Sequence, residues 1–372
     1  MHIEPFATEH YFGLYEFGCP HMLSASDCES ISIAELVQLA GASMDTLGQL
    51  QLRYVESEGS PEIRAAISAQ YASVDPSEIL TLSAPEEGIY ITMRALLEPG
   101  DDVVVLSPCY DSLANVATHI GAHVHRVSLE PRPQGWSLPW DALIDLLRRV
   151  EPRLLILNFP HNPTGYLPPE PELQALLRVT AELGTWVFSD EMYRGLELDP
   201  LARQPSLTDL HERTIVLSGL SKAHGLPGLR AGWLVVRDPE LAGRITNWKL
   251  YTTICSPVAS QWLATLALGV ADRLVARSLT TIRNNLELAE AFFARWSEHL
   301  VWRPPAAGSV ALVETRHEDA GPYCHALAKR AGVVLLPGAC VGAPPGYVRM
   351  GFGRTGFGEH LAALEADLRR HS

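Results

Sequence analysis

The chain has 372 residues, 47% of them hydrophobic, which is enough for one large domain or two moderate ones with a sizeable core. A formal net charge of −14 argues against a nucleic-acid partner, because binding to phosphates requires a basic face. We expect neither a membrane span nor a signal peptide, and the six cysteines lack metal or CxxC spacing, which predicts reduced thiols in a cytoplasmic protein.

Short runs of Val, Ile and Leu alternate with amphipathic stretches through the middle of the chain. Continuous apolar strands alternating with helices are typical of a parallel sheet that is covered on both faces. In chain order we predict a strand at 78–83, a helix at 86–97, a strand at 101–108, a helix at 110–122, a strand at 153–160, a helix at 171–184, and strands at 185–193 and 214–221.

The C-terminal part has a different pattern. We predict one long helix over about 257–296, short strands at 308–314, 332–338 and 347–353, and a closing helix at 358–371. The predicted fold is therefore α/β, with a mostly parallel sheet between helices and a second, smaller α+β domain. We expect the large domain to cover 45–260 and the small one to combine 1–44 with 261–372.

Polar and aromatic side chains follow the ends of the predicted strands, where ligands bind in open α/β sheets. The turn at 83–88 enters a helix, whose N-terminus is a candidate anion site. Taken singly, such residues are usually turns, helix caps or packing. The four later strands are followed by Tyr110, by Asn162 in the turn 162–165, by Asp190 with Tyr193, and by Lys222.

Together these residues match the requirements of pyridoxal phosphate. Its aldehyde needs a lysine amine, and its pyridine nitrogen needs a carboxylate that keeps it protonated. Its ring needs a flat side chain to stack on it and donors for its hydroxyl, and its phosphate needs a cationic cradle rich in N–H groups.

Five motifs occur along the chain: YVESEGSPEIRAAI (54–67), NPTG (162–165), SDEMY (189–193), Ser221-Lys222 followed by GLPGLRAGW (225–233), and VRMGFG (348–353). In these motifs and their order the sequence resembles, from about Tyr54 to Arg349, the fold-type I pyridoxal-phosphate enzymes of the aminotransferase class I/II family. The resemblance implies a homodimer with shared active sites.

The resemblance also implies a role for each candidate residue. Lys222 would hold the cofactor as an internal aldimine and move the substrate Cα proton, with Asp190 at the pyridine nitrogen and Tyr193 as the third catalytic residue. Arg349 and Asn162 would bind the substrate, the former through its α-carboxylate. The other cofactor contacts would be Tyr193 and Asn162 at the ring hydroxyl, Tyr110 on the ring, Ala84, Pro85, Glu86, Ser221 and Arg230 at the phosphate, and Tyr54 at the phosphate of the neighbouring subunit.

Three features depart from the family pattern. Pro85 has no N–H to give to a phosphate, and Gly219 stands where many members have Ser, with Ser218 left open as a substitute. The N-terminal segment at 15–36 is also unusual. Its Asp27 and Glu29 could face a cationic substrate group, although we slightly favour both as caps of a helix that begins near Ser32.

The predicted function is transfer of the amino group of an L-amino acid to a 2-oxo acid. The alternative is elimination, replacement or cyclisation on the amino-acid side chain, because the N-terminal pattern weakly resembles capreomycidine synthase-like enzymes, which act on hydroxylated arginine. A non-catalytic regulator is disfavoured by Lys222, Asp190 and Arg230. A nicotinamide dehydrogenase is disfavoured because no GxGxxG opens a helix, and the histidines lack the spacing of metal ligands.

Overall fold

The computed structural model describes residues 3–371, which form thirteen α-helices and fifteen β-strands. The helices are α1 Ala7–Tyr15, α2 Ile33–Leu39, α3 Met44–Gln49, α4 Pro61–Ser68, α5 Pro85–Leu96, α6 Asp111–Ile120, α7 Trp140–Val150, α8 Glu170–Leu183, α9 Pro239–Leu250, α10 Val258–Gly269, α11 Ala271–Arg295, α12 Ala320–Ala331 and α13 Phe357–His371. The strands are β1 His21–Met22, β2 Ile79–Leu82, β3 Asp102–Ser107, β4 His123–Ser128, β5 Glu130–Arg132, β6 Gly135–Ser137, β7 Leu154–Asn158, β8 Trp186–Asp190, β9 Thr214–Gly219, β10 Gly232–Val236, β11 Leu300–Val301, β12 Val310–Thr315, β13 Val333–Val334, β14 Leu336–Pro337 and β15 Tyr347–Gly351.

The large sheet has seven strands in the order β2-β10-β9-β8-β7-β3-β4. Only β10 runs antiparallel to its neighbours, while β9, β8, β7, β3 and β4 are parallel. The predicted, mostly parallel sheet is thus confirmed. Because the carboxyl ends of β3, β7, β8 and β9 lie side by side, the residues that follow them meet at one edge.

Helices cover both faces of this sheet. On one face α5, α6 and α9 pack onto the strands, with Ile89, Val105, Leu217 and Ile245 in one buried cluster. The other face is covered by α7 and α8 at one end and by α4 and α10 at the other. All residues of β7 and β8 are buried, which explains why their sequences are continuous apolar runs rather than alternating ones.

A four-stranded antiparallel sheet, β11-β12-β15-β14, forms the smaller layer. Helices α11, α12 and α13 bury Phe292, Leu327 and Leu361 against it, together with Leu312 of β12. The predicted α+β character of this part is confirmed, whereas the boundaries at 44/45 and 260/261 stay a prediction.

The long helix predicted over 257–296 is wrong in one respect, because the chain breaks it into α10 and α11. The break lies at Val270, whose φ of −125° and ψ of 22° are not helical, directly after Gly269. Glycine is a poor helix former, so a helix ends there at low cost. No helix of residues 3–371 has the length and apolar composition to cross a membrane.

The N-terminal segment, defined here as residues 3–29, runs along the end of β15. The backbone N–H of Gly351 donates to the oxygen of Leu23 at 2.7 Å, and that of Glu29 donates to the oxygen of Gly353 at 2.8 Å. A Cβ on Gly351 would lie 1.8 Å from the oxygen of Ala25, so only glycine allows this approach. The segment is thereby held over the carboxyl edge of the large sheet.

Candidate active site

Lys222 follows β9 and points toward the N-terminal segment. Its Nζ donates a hydrogen bond to Oγ of Ser26 at 2.8 Å. Desolvation lowers the pKa of Lys222, although the nearby carboxylates of Asp27, Glu9 and Asp190 act in the opposite direction. A lysine with a lowered pKa is a better nucleophile and base near neutral pH. Sequence reasoning missed Ser26, since nothing local links positions 26 and 222.

Asp190 ends β8, next to the strand that precedes Lys222, and it is 7% exposed. Its Oδ1 accepts a hydrogen bond from the N–H of Met192 at 3.1 Å, and burial raises its pKa to about 6. Asn158, directly opposite Asp190 in the sheet, donates from Nδ2 to the Asp190 backbone oxygen and accepts from the N–H of Asn162, both at 2.8 Å. Asn158 thus joins the turn 162–165 to Asp190, and its place at a strand end was the signal that could have revealed it.

Arg349 lies in β15 and is 1% exposed. Its Nη1 donates to Oδ1 of Asn162 at 3.3 Å, and its Nη2 donates to the backbone oxygen of Ser24 at 3.0 Å. The ring of Phe12 faces the guanidinium at 5.8 Å, and Nε is buried without a hydrogen-bond partner. Burial lowers the pKa of Arg349. A buried guanidinium with an unpaired donor is suited to bind an anion from outside the chain.

The two predicted tyrosines flank this group in different environments. Tyr193 is 3% exposed, its hydroxyl has no hydrogen-bond partner in the described part of the chain, and burial raises its pKa. Tyr110 donates its hydroxyl proton to Oε1 of Glu9 at 2.7 Å, and its ring packs against Phe6 with a centroid distance of 5.0 Å. The N-terminal segment therefore covers the ring of Tyr110.

The N-terminus of α5 lies against the ends of β9 and β10. Ala84 is its N-cap residue and makes no side-chain cap, and Pro85 is the first helical residue. A Cβ on Gly219 would lie 3.0 Å from Cγ of Pro85, and one on Gly232 would lie 2.9 Å from it. Pro85 thus fills the space next to Gly219, which gives a physical reason for both departures from the family pattern.

Three further predicted residues surround that helix start. Glu86 accepts a hydrogen bond from Oγ of Ser112 at 3.1 Å, and burial raises its pKa to about 7. Ser221 is 6% exposed, with an Oγ that lacks a partner. Arg230 is exposed, has a left-handed backbone with φ of 51°, and donates from Nη1 to the oxygen of Pro227 at 3.1 Å.

Two other residues lie away from this group. Ser218 lines a separate cavity of about 80 Å³ with Tyr71 and Glu191. Because successive residues of a strand point to opposite faces of the sheet, Ser218 does not lie on the same face as Gly219. Tyr54 is 83% exposed on the surface of the chain.

The favoured interpretation of Asp27 and Glu29 as helix caps is wrong. Ser32 caps α2 in a capping box with Glu35. Asp27 instead forms a two-pronged ion pair with Arg354, with distances of 3.1 and 2.9 Å, and Glu29 accepts hydrogen bonds from the N–H and hydroxyl of Thr355. Both carboxylates therefore fasten the N-terminal segment to the loop after β15.

The unpaired and charged groups at the edge are of the kinds that pyridoxal phosphate needs. Within residues 3–371, the buried hydroxyls of Tyr193 and Ser221 and the Nε of Arg349 have no hydrogen-bond partner, which is costly unless a ligand supplies one. A buried carboxylate at Asp190, an amine at Lys222 and an uncapped helix N-terminus provide the counter-charge, the nucleophile and the phosphate seat.

Comparison with known proteins agrees with this geometry. The sequence profile of the family "Aminotransferase class I and II" matches residues 30–358. Capreomycidine synthase of Streptomyces vinaceus is 33% identical over 94% of this chain and 90% of its own. Arginine–pyruvate transaminase AruH of Pseudomonas aeruginosa is 28% identical over 89% of this chain and 84% of its own.

Two solved structures have nearly the same fold over the whole chain. A PLP-dependent aminotransferase from Streptococcus suis 89-1591 has a TM-score of 0.92 and 27% identity, covering 100% of this chain and 99% of its own. The PLP-dependent cyclase OrfR has a TM-score of 0.91 and 28% identity, with the same coverage.

The fold, the site and these relatives define a pyridoxal-phosphate-dependent enzyme of fold type I. The chain belongs to the aminotransferase class I and II family. The predicted function of a pyridoxal-phosphate-dependent aminotransferase is confirmed by the family and its transaminase members. The similarity to capreomycidine synthase and OrfR also supports the alternative reaction, elimination or cyclisation, but no more strongly than the other relatives support transamination.

Proposed function

We propose that this aminotransferase takes its amino group from a basic L-amino acid and that the edge residues hold the cofactor in the roles predicted from the sequence. One observation carries the proposal. Asp190 ends β8 and Lys222 follows the neighbouring parallel strand β9, while desolvation lowers the pKa of Lys222 and raises that of Asp190. The similarity to the arginine–pyruvate transaminase of Pseudomonas aeruginosa supports a basic substrate.

In this proposal each group of residues holds one part of the cofactor. Lys222 binds its aldehyde carbon, Asp190 its pyridine nitrogen, Tyr193 and Asn162 its ring hydroxyl, and Tyr110 its ring. The start of α5 would hold the phosphate. Its contacts there would be the backbone of Ala84 and Glu86, Ser221 and Arg230, while Pro85 shapes the turn. When bound, the protonated ring supplies the electron sink that makes the substrate Cα acidic.

The chain's own residues perform the remaining work. Arg349 and Asn162 orient the substrate by its α-carboxylate, which presents two oxygens to a planar guanidinium. Nζ of Lys222 would take the proton from the substrate Cα and hold it on its amine for return to the reacting group. Phe6, directly before α1, packs against Tyr110, and Phe12 of α1 packs against Arg349. These side chains cover the edge and keep bulk water from the reacting atoms.

The proposal includes a homodimer in which Tyr54 reaches the phosphate of the neighbouring subunit. Leu52, Tyr54 and Tyr251 are 91%, 83% and 82% exposed, and burying them against a second copy of the chain would remove this apolar surface from water. It also includes a cytoplasmic location, which is supported by six free cysteines.

A second candidate reaction is cyclisation of the side chain after loss of a leaving group. The similarity to OrfR and to capreomycidine synthase favours it. Both reactions need Lys222 as the base at Cα, so the edge residues do not separate them.

An absorbance titration of the purified, cofactor-loaded protein separates these possibilities. Amino acids are added without an oxo acid. Conversion of the visible band of the lysine-bound cofactor to the shorter wavelength of its amine form, with one equivalent of 2-oxo acid, supports transamination. A persistent band with release of ammonia or a cyclised product supports the second reaction.

Lys222→Ala is the control for this titration. It removes the amine that captures the aldehyde, so the lysine-dependent band is lost and turnover falls by about 10⁴-fold or more. Ordinary multiple turnover in this variant contradicts the proposed function.

A further inference from the structure

Glu9 is held directly over the carboxyl edge of the large sheet. Its Oε1 accepts the hydroxyl proton of Tyr110 at 2.7 Å. One residue earlier, Thr8 donates from its backbone N to Oδ2 of Asp111 at 3.0 Å and from its hydroxyl to the oxygen of Cys340 at 3.2 Å. These contacts fix the first turn of α1, so the carboxylate of Glu9 has a defined place in the cleft.

The negative charge of Glu9 reaches the groups that bind substrate. It raises the pKa of both Lys222 and Arg349, against the effect of burial. It also adds to the elevated pKa of Glu86 and of Asp111, so three carboxyl groups repel one another here. A bound cation beside them removes this repulsion.

The other acidic residues of the segment near the cleft have cationic or N–H partners within the chain. Asp27 is paired with Arg354, Glu29 accepts two hydrogen bonds from Thr355, and Glu16 lies 3.9 Å from Arg354. Among residues 3–371, no lysine or arginine forms an ion pair with Glu9, which is exposed to the cleft.

We propose that Glu9 binds the cationic end of the substrate side chain, a guanidinium or ammonium group, and so selects basic amino acids. The inference rests on the proposed function. In the proposed function Arg349, which is 1% exposed and whose Nε has no partner among residues 3–371, holds the α-carboxylate, and Phe12, on the same helix as Glu9, lies 5.8 Å from its guanidinium. A substrate with opposite charges at its two ends thereby meets a cation and an anion in the matching order, whereas an acidic side chain meets the carboxylate of Glu9.

The test compares the wild-type holoenzyme with Glu9→Gln, which keeps an acceptor for Tyr110 but removes the charge. Dissociation constants for arginine and for methionine, an uncharged side chain, are measured by calorimetry and from perturbation of the visible band. We expect the variant to weaken arginine binding by about tenfold or more and to leave methionine within about twofold. Glu62→Gln, an exposed carboxylate on α4, is the matched control and leaves both constants unchanged.

A second variant, Glu9→Arg, reverses the charge and shifts the preference from arginine toward glutamate. A wild-type band with equal arginine affinity in wild type and Glu9→Gln overturns the inference and leaves the proposed function intact. Absence of any lysine-dependent band in the wild type, even with added pyridoxal phosphate, overturns the proposed function and this inference with it.

Discussion

The edge of the large sheet and the N-terminal segment build one cleft by different means. On the edge, each functional side chain lies at or just after the end of a strand. The register that sets Asn158 opposite Asp190 also allows the hydrogen bond between them. The segment has one nine-residue helix and one two-residue strand, and it is held by distant contacts such as that between Thr8 and Cys340. In the proposed function the edge supplies the reacting groups, whereas the segment adds Glu9 and the side chains that cover them.

After Lys222→Ala, the largest effect on the edge is expected from Asp190→Ala. Without the buried carboxylate the cofactor ring loses its counter-charge, so kcat falls by about 10³-fold. Cofactor affinity changes far less, because Lys222 and the phosphate contacts remain. Steady-state kinetics and a pyridoxal phosphate titration measure the two quantities. Asp199→Ala, which changes a surface turn, is the control, and a normal kcat in Asp190→Ala removes Asp190 from its role.

Displacing the segment is expected to have a smaller effect. In Gly351→Ala the new Cβ meets the oxygen of Ala25 at 1.8 Å, so residues 23–29 have to move. We expect a loss of about 1–3 kcal/mol in the free energy of unfolding, weaker substrate binding, and an unchanged visible band of the lysine-bound cofactor.

Hydrogen exchange at residues 23–29 and thermal unfolding measure this displacement. Gly243→Ala in α9 is the matched control, because nothing lies within 4 Å of its Cβ and alanine favours the helix. Normal protection of residues 23–29 in Gly351→Ala contradicts the assignment of this contact.

The different predictability of the two regions has a physical origin. The sequence places Lys222, Asp190 and Tyr110 at one edge because a buried parallel strand leaves a local apolar pattern, and residues at or after its end lie at the edge; their roles at the cofactor stay a prediction. Ser26, Asn158 and Glu9 were missed. Ser26 is joined to Lys222 across 196 positions, and Glu9 to Tyr110 across 101, so no local pattern encodes either contact.

The family motifs also gave no information on what Asp27 and Glu29 of the N-terminal segment contact. Asp27 and Glu29 precede a helix and are of the residue types that cap helices, yet they bind the loop at 354–355. Tertiary contacts overrode the local preference, since Ser32 and Glu35 already satisfied the start of α2.

Removing one of the hydrogen bonds between the two regions, that of Lys222 with Ser26, gives a finer comparison. In Ser26→Ala, Nζ of Lys222 loses its hydroxyl acceptor. Because that acceptor stabilises the charged ammonium, its loss lowers the pKa of Lys222 further, and the neutral amine is present at lower pH. We expect the pH midpoint for capture of pyridoxal phosphate by the apoenzyme to move down by up to about one unit.

Stopped-flow absorbance at several pH values measures that midpoint. Ser24→Ala is the neighbouring control, because the hydroxyl of Ser24 contacts Sδ of Met22 rather than the lysine. A midpoint that stays in place, or moves up, contradicts the role of Ser26.

The smallest effect concerns Glu86, where the two regions meet. Burial, with help from the charge of Glu9, raises its pKa from 4.5 to about 7 in the folded chain. Between these values the folded protein holds a proton that the unfolded chain has released, so this group makes stability fall as pH rises from about 4.5 to 7. Glu86→Gln removes that loss. The free energy of unfolding of the apoenzyme variant should exceed that of wild type by on the order of 1–3 kcal/mol at pH 8 and by less than about 0.5 kcal/mol at pH 5.

Urea unfolding at both pH values measures the difference, and Glu182→Gln on the exposed side of α8 should leave the free energy of unfolding unchanged. An equal effect of Glu86→Gln at both pH values would mean that the carboxyl group of Glu86 stays ionised in the folded chain, and that the helix start at α5 is open to water before the phosphate binds.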